Sequence, residues 1–418
     1  MLKKNLTPFF CFGFVSEHFL FTSSFEKGYM SKVGIVSMKQ TWLQWIEIGR
    51  ASLEHNIQQF RHLIGDSRKM TVVVKSNAYG HGLLEVSRLG AEFGADWLGV
   101  NSLKEALALR EGGIDLPVIL LGYIPFIDLQ EAVANDLRLT VYNTETVEEL
   151  AQITRVQKKD ACLHIKTETG GYRQGIKGED LLPFVERIRK YPHLKIEGLS
   201  MHFANIEDTT DHSYAQCQLE KFIEYVDLLG ENDINIPIKH VACSAATILF
   251  PETFFDMVRV GIGIYGLWPS KETYLSCIQD EREPVNIKPV LSWKTRVVQI
   301  KDVPEGAFIG YGCTYKTTRP TKLAVLPVGY YDGYDRLLSN ASYVLIAGKR
   351  APVRGRVAMN FITVDVTDIS EIRLEDEVVL LGTQGQERIS AEHLASLCGT
   401  INYEIVTRIN PKIPRIVV

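Results

Sequence analysis

Two periodicities alternate along the chain from about residue 40 to residue 270. Short apolar, β-branched runs predict strands at Thr71–Lys75, Asp96–Val100, Pro117–Gly122, Arg138–Tyr142, Ala161–Lys166, Glu197–Phe203, His240–Ser244 and Val258–Gly266. Between them lie segments of helical period, for example Ser102–Glu111 (SLKEALALRE) and Thr144–Ile153 (TETVEELAQI). Strand and helix in strict alternation predict a parallel sheet covered by helices. Eight such strands over about 200 residues point to a closed (β/α)8 barrel rather than an open doubly wound sheet. From about residue 290 the helical period fades. Runs punctuated by Gly, Pro and Asp take over, with strands expected at Ser292–Ile300, Lys322–Pro327, Tyr343–Ala347, Val353–Arg356, Thr363–Val366 and Glu377–Leu381.

The predicted fold class is therefore α/β: an N-terminal TIM-type barrel over residues 41–285, followed by a mostly antiparallel β domain over residues 286–418. The charged, proline-bearing stretch Pro269–Pro289 is read as the linker. Residues 1–40 are set apart as an extension. Lys3 and Lys4 precede an apolar run, Pro8–Val15, that faintly resembles a secretory leader. The run stops at Ser16-Glu17 without a clean small-residue cleavage site, and Met30 and Met38 offer alternative starts.

Composition narrows the function classes. Hydrophobic residues make up 45% of the 418 and charged residues 23%, an ordinary folded mixture. With 46 Lys plus Arg against 50 Asp plus Glu, the net charge of −4 leaves no basic footprint for nucleic acid. No run of about 18 uncharged apolar residues is present to span a membrane. The 7 cysteines are odd in number, scattered and without CxxC spacing. That usage predicts a reducing cytoplasm, with neither a disulfide framework nor a metal site.

The ends of the predicted barrel strands are unusually polar, and strand ends face the catalytic mouth of such a barrel. Strand one delivers Lys75, strand five Lys166 with Arg173 beyond it, strand six His202, strand seven Ser244, and strand eight Arg259 followed by Gly261-Ile262-Gly263. Singly, each has an ordinary reading: a solvated lysine, a hydrogen-bonded core histidine, a salt-bridged arginine. Several cations converging on one face call for an anion, because unpaired buried charges are costly. The seventh and eighth strand ends are where barrels commonly bind phosphate, and glycines let backbone N–H groups approach it. A phosphate-bearing cofactor beside a strand-end lysine suggests pyridoxal phosphate, with Arg259 reaching its ring nitrogen.

The segment Val73-Val-Lys75-Ser-Asn-Ala-Tyr79-Gly-His-Gly82 resembles the cofactor-lysine motif of alanine racemases. The resemblance continues through His240-Val-Ala-Cys-Ser244-Ala-Ala-Thr247, Met257-Val-Arg259-Val-Gly-Ile-Gly-Ile-Tyr-Gly266 and Gly310-Tyr311-Gly312. It ends with Gly329-Tyr330-Tyr-Asp-Gly-Tyr334 and Gly355-Arg356-Val-Ala-Met359, in order, over roughly residues 41–418. It implies a pyridoxal 5'-phosphate enzyme of fold type III that interconverts L- and D-alanine as a head-to-tail homodimer and supplies D-alanine for peptidoglycan. Lys75 would hold the cofactor and act as one base, and Tyr311, reaching in from the partner subunit, as the other. Tyr79, Ser244, Gly261 and Ile262 would hold the phosphate, Arg259 would face the ring nitrogen, and His202, supported by Arg259, would stand beside the opposing tyrosine. Arg173 and the Met359 backbone N–H would hold the substrate carboxylate. Lys166 matches a lysine carbamylated in some members. Tyr330, Arg336, Arg356 and Glu207 or Asp208 match the substrate entrance.

Three positions depart from the family pattern: Cys243 in place of an asparagine, Asn360 in place of an acid, and Pro411 in place of a C-terminal tyrosine. The last change predicts a reshaped pocket that accepts serine beside alanine. Amino-acid decarboxylases share the barrel-plus-β plan, but they call for an acid where Arg259 stands. A pyridoxal phosphate carrier built on the barrel alone would lack the Gly310-Tyr311-Gly312 segment. An inactive relative of the racemases remains as the rival that keeps the fold without the chemistry.

Overall fold

A computed structural model of the chain describes residues 42–279 and 284–418; the extension discussed above, residues 1–40, lies outside the described residues. The barrel strands are β2 (Lys69–Val73), β3 (Trp97–Val100), β4 (Val118–Leu120), β5 (Arg138–Val141), β6 (Ala161–Lys166), β7 (Leu194–Ser200), β8 (Ile238–His240) and β9 (Met257–Val260). They pair in parallel in the order β8-β7-β6-β5-β4-β3-β2-β9. Two backbone hydrogen bonds bring the sheet's ends together: Asp256 N–H to Lys239 O at 3.1 Å and Arg259 N–H to Ala242 O at 2.9 Å. The result is the barrel that the alternating pattern predicts.

Helices cover its outside for the reasons legible in the sequence. Ser102 accepts the Glu105 N–H, and the Glu105 carboxylate reaches back to the Ser102 N–H, so a capping box starts Leu103–Glu111. Asn143 accepts the Thr146 N–H at 2.9 Å and starts Thr144–Gln157.

The chain's first described strand, β1 (Gln44–Ile48), does not belong to the barrel, although it falls in the stretch expected to form it. It pairs antiparallel with β10 (Leu291–Arg296) and parallel with β20 (Arg415–Val417), the last strand of the chain. Trp45, Ile46 and Ile48 are buried there. That seven-stranded sheet also holds β15 (Tyr343–Ile346), β16 (Lys349–Pro352), β18 (Glu377–Gln384) and β19 (Glu387–Ile389). A second sheet joins β11 (Gln299–Val303), β14 (Thr321–Leu326) and β17 (Ile362–Asp365), and β12 (Phe308–Ile309) pairs with β13 (Tyr315–Lys316).

The single strand expected over Ser292–Ile300 is thus two, assigned to different sheets. The strand expected at Val353–Arg356 falls instead on Lys349–Pro352. Ala347 (φ 51°) and Gly348 (φ 72°) form a two-residue turn with both residues left-handed, which pairs Ile346 with Lys349. Helices not anticipated occupy Lys271–Gln279, inside the expected linker, and Ala391–Cys398 and Asn402–Thr407 near the C-terminus. One continuous apolar core runs from the barrel's helical shell into the β domain. A small separate cluster, Trp97, Ile119, Ile238 and Met257, fills part of the barrel lumen.

Candidate active site

Strand β2 ends at Val73, and Lys75 opens a tight turn rather than closing the strand. Ser76, Asn77, Ala78 and Tyr79 all adopt positive φ between 51° and 57°. Such left-handed backbone costs roughly 1–2 kcal/mol per residue and persists only where its surroundings enforce it. Here Glu105, already in its capping box, accepts the Ser76 N–H at 2.6 Å, and Asn77 Oδ1 accepts the Leu83 N–H at 2.9 Å. Tyr265 donates to Val73 O at 2.8 Å and packs its ring 5.1 Å from Tyr79 and 4.4 Å from His81. Arg415, from the last strand, donates to Gly80 O at 3.0 Å. A Cβ on Gly80 would overlap Val406 O, so the turn and the C-terminal helix meet backbone to backbone.

Lys75 faces a cavity of about 450 Å3 that is also lined by Tyr79, Lys166, Arg173, His202, Glu207, Cys243, Ser244, Arg259, Gly261 and Ile262. The predicted barrel residues therefore converge. Ser244 Oγ accepts the N–H groups of Gly261 (2.9 Å) and Gly263 (3.3 Å). A Cβ on Gly261 would stand 2.5 Å from the Tyr79 hydroxyl, so glycine is what lets that phenol close over the loop.

Arg259 is buried and donates to Met201 O (2.9 Å), Val241 O (3.2 Å) and His240 O (2.6 Å). Burial brings it down to about 10, which still leaves it charged at neutral pH. Burial, then Arg173, lowers the Lys75 ammonium. Burial, then Arg259, Arg173 and Lys75, brings Lys166 down to about 8. His202 opens onto the cavity, yet the protein around it and the nearby Arg259 hold its imidazole well below the ordinary value, so it is neutral. Burial raises the Tyr79 phenol, which keeps it a hydrogen donor.

Among the residues lining this cavity that were not singled out as site residues from the sequence, Tyr403 and His240 carry the most chemistry. Tyr403, on the unexpected C-terminal helix, lines it and donates to Glu207 Oε2 at 2.9 Å. Cys243 approaches the other oxygen of that carboxylate at 3.8 Å, and burial lifts the Glu207 carboxyl above its usual range. His240 lies under Arg259; its place in the predicted seventh strand was the available signal. Asp208 lines an adjoining cavity of about 320 Å3 with Glu207, Lys166, Arg173 and His202.

Tyr311, Met359, Tyr330, Arg336, Arg356, Asn360 and Pro411 line neither cavity. Tyr311 is 73% exposed and Met359 54%, on the β domain. Pro411 is also exposed. One chain thus brings together the barrel half of the expected site and leaves the other half on its surface.

A (β/α)8 barrel with a lysine-bearing cationic mouth, followed by a β domain that holds both ends of the described chain, defines a class of barrel enzyme suited to an anionic cofactor. Residues 48–269 match the model of the alanine racemase N-terminal domain and residues 290–417 that of the C-terminal domain. The alanine racemase of Leptospira interrogans serovar copenhageni is 40% identical over 387 residues, 92% of this chain and 98% of that protein. That of Halothermothrix orenii is 42% identical over 371 residues, 89% of this chain and 96% of that protein. The solved alanine racemase of Bacillus anthracis with bound L-Ala-P superposes with a TM-score of 0.83 at 36% identity, over 90% of this chain and 95% of that one. The chain belongs to the alanine racemase family of amino-acid isomerases.

Proposed function

We propose that the protein interconverts L- and D-alanine with pyridoxal 5'-phosphate held in the barrel mouth. The observation that carries this reading is the convergence of Lys75, Arg259 and the Ser244–Gly261 cradle on one cavity. The donor set suits the cofactor. Tyr79 and Ser244 offer hydroxyls and the Ile262 backbone an N–H for a phosphate, which would also draw the Gly261 N–H from Ser244. Arg259 offers a guanidinium for the ring nitrogen, and Lys75 offers an amine shifted toward neutrality. When bound, the cofactor supplies an electron sink that acidifies the α-carbon of an amino acid.

Lys75 moves a proton at one face of that carbon. The partner subunit's Tyr311 moves one at the other face, and removal and return from opposite faces invert the centre. Arg173 and the backbone N–H of the partner subunit's Met359 hold the substrate carboxylate. Arg259 does not surrender its proton readily, so it moderates the sink and suppresses competing chemistry of the same carbon. His202, neutral beside these cations, would orient the opposing tyrosine. The 73% exposure of Tyr311 fits a head-to-tail homodimer in which each β domain completes the other subunit's site. In the cytoplasm such an enzyme would supply D-alanine for peptidoglycan.

A Lys75→Ala variant tests the assignment. It should lose both the long-wavelength absorbance of bound cofactor and the conversion of L-alanine, while keeping the unfolding profile of the parent. Racemisation at the parental rate by Lys75→Ala, or a parent protein that takes up no pyridoxal phosphate, would contradict it.

A further inference from the structure

We propose that His164 and Glu197 are positioning residues for Arg259, acting through His240 as a hydrogen-bond relay of fixed direction across the barrel lumen. The inference rests on reading Arg259 as the group that faces the cofactor's ring nitrogen. Every hydrogen in the relay is assigned by its two ends. A guanidinium can only donate, so His240 Nδ1, 2.5 Å from Arg259 Nη1, must accept. A neutral imidazole carries one N–H, so His240 Nε2 holds the proton and donates to His164 Nδ1 at 2.8 Å. His164 Nε2 then donates to Glu197 Oε2 at 3.0 Å, and an ionised carboxylate can only accept. Burial holds both imidazoles below the ordinary histidine value, which keeps them in the neutral forms the relay needs.

The fold makes room for this line. The pairing of β6 with β7 shifts register between Leu163 and His164, which sets His164 opposite Gly198. A Cβ on Gly198 would overlap the His164 ring, so the imidazole occupies the space a side chain would need. The Trp97 ring meets His164 edge-on at 5.5 Å, and Arg138 lies over Trp97 at 5.4 Å while approaching Glu197 at 3.3 Å. No carboxylate contacts Arg259 among the described residues; its partners are carbonyl oxygens and His240. The relay joins this buried cation to Glu197, and His164, by taking the proton on the other side of the ring, stabilises the tautomer in which His240 Nδ1 accepts. If His240 turned to the alternative tautomer, an N–H would face the guanidinium and displace it.

The test uses ¹⁵N-histidine spectra of the full-length protein together with cofactor titration of the parent, His164→Phe and His164→Asn. The parent should show His240 protonated at Nε2 alone, with and without pyridoxal phosphate. His164→Phe removes the acceptor. It should lose that single tautomer, shift the absorbance maximum of bound cofactor and raise the cofactor Kd about tenfold, the scale of one charge-assisted hydrogen bond. His164→Asn places an amide oxygen near the former Nδ1 and should restore the tautomer and bring the Kd to within about threefold of the parent. A parent His240 protonated at Nδ1 would overturn the relay, and this holds even if the phenylalanine variant does not fold. So would equal Kd and absorbance in the phenylalanine and asparagine variants. A parent with the stated tautomers but no uptake of cofactor would instead overturn the functional reading beneath it.

Discussion

Ser244 joins the two halves of the cradle proposed for the phosphate through one oxygen, accepting from Gly261 and Gly263 while keeping its own hydrogen to donate. Ser244→Ala should therefore weaken pyridoxal phosphate binding about tenfold, read by titration, with little change in fold; unchanged affinity would place the phosphate elsewhere. Lys166 makes a pH-dependent prediction. Its folded value of about 8 lies below the ordinary lysine value of about 10.4. The charged amine therefore costs the folded state in full below about pH 8, and the cost recedes as pH rises toward the unfolded value. In carbon dioxide-free buffer, Lys166→Met should raise the unfolding temperature more at pH 7 than at pH 10. An equal change at both would remove the basis for a displaced lysine. The family's tyrosine at the place of Pro411 motivates a test of serine turnover. Although Pro411 lines neither cavity of its own chain, Pro411→Tyr is expected to lower the serine-to-alanine ratio of kcat/KM, and no change would end that expectation.

Among elements, the lysine turn is the one most dependent on distant sequence. Its left-handed run is held by Glu105, by Tyr265 and by Arg415, so the short motif around Lys75 is shaped by the last strand of the chain. Gly80→Ala would force the turn off Val406 and should cost about 3 kcal/mol or more in unfolding measurements. A stability like the parent's would show that the two segments separate freely. The barrel strands were legible because buried parallel strands read as short apolar runs ending in polar residues, and Ala161–Lys166 is found with the bounds its pattern predicts. The sheet that β1 joins was not legible, since a strand pattern fixes which face is buried but not which partner covers it. His164 escaped notice for a related reason. A histidine inside a buried strand has no periodic signal, and its role appears only when the register shift sets it against Gly198 and His240.

In the whole molecule, one chain assembles the basic barrel mouth and leaves Tyr311 and Met359 on its surface. No local pattern predicts which residues one chain brings together; the proposed meeting of Tyr311 with a second copy's barrel rests on the resemblance of the Gly310-Tyr311-Gly312 segment. The decisive measurement is chiral chromatography of L-alanine incubated with pyridoxal phosphate and an equimolar mixture of Lys75→Ala and Tyr311→Phe, unfolded and refolded together. If each β domain completes the partner's barrel, a mixed dimer contains one site with both substitutions and one intact site. Two variants that are each nearly inactive should then recover about a quarter of the parental rate and carry L-alanine to an even mixture of enantiomers. A mixture no more active than its components would contradict a site shared between subunits through Lys75 and Tyr311.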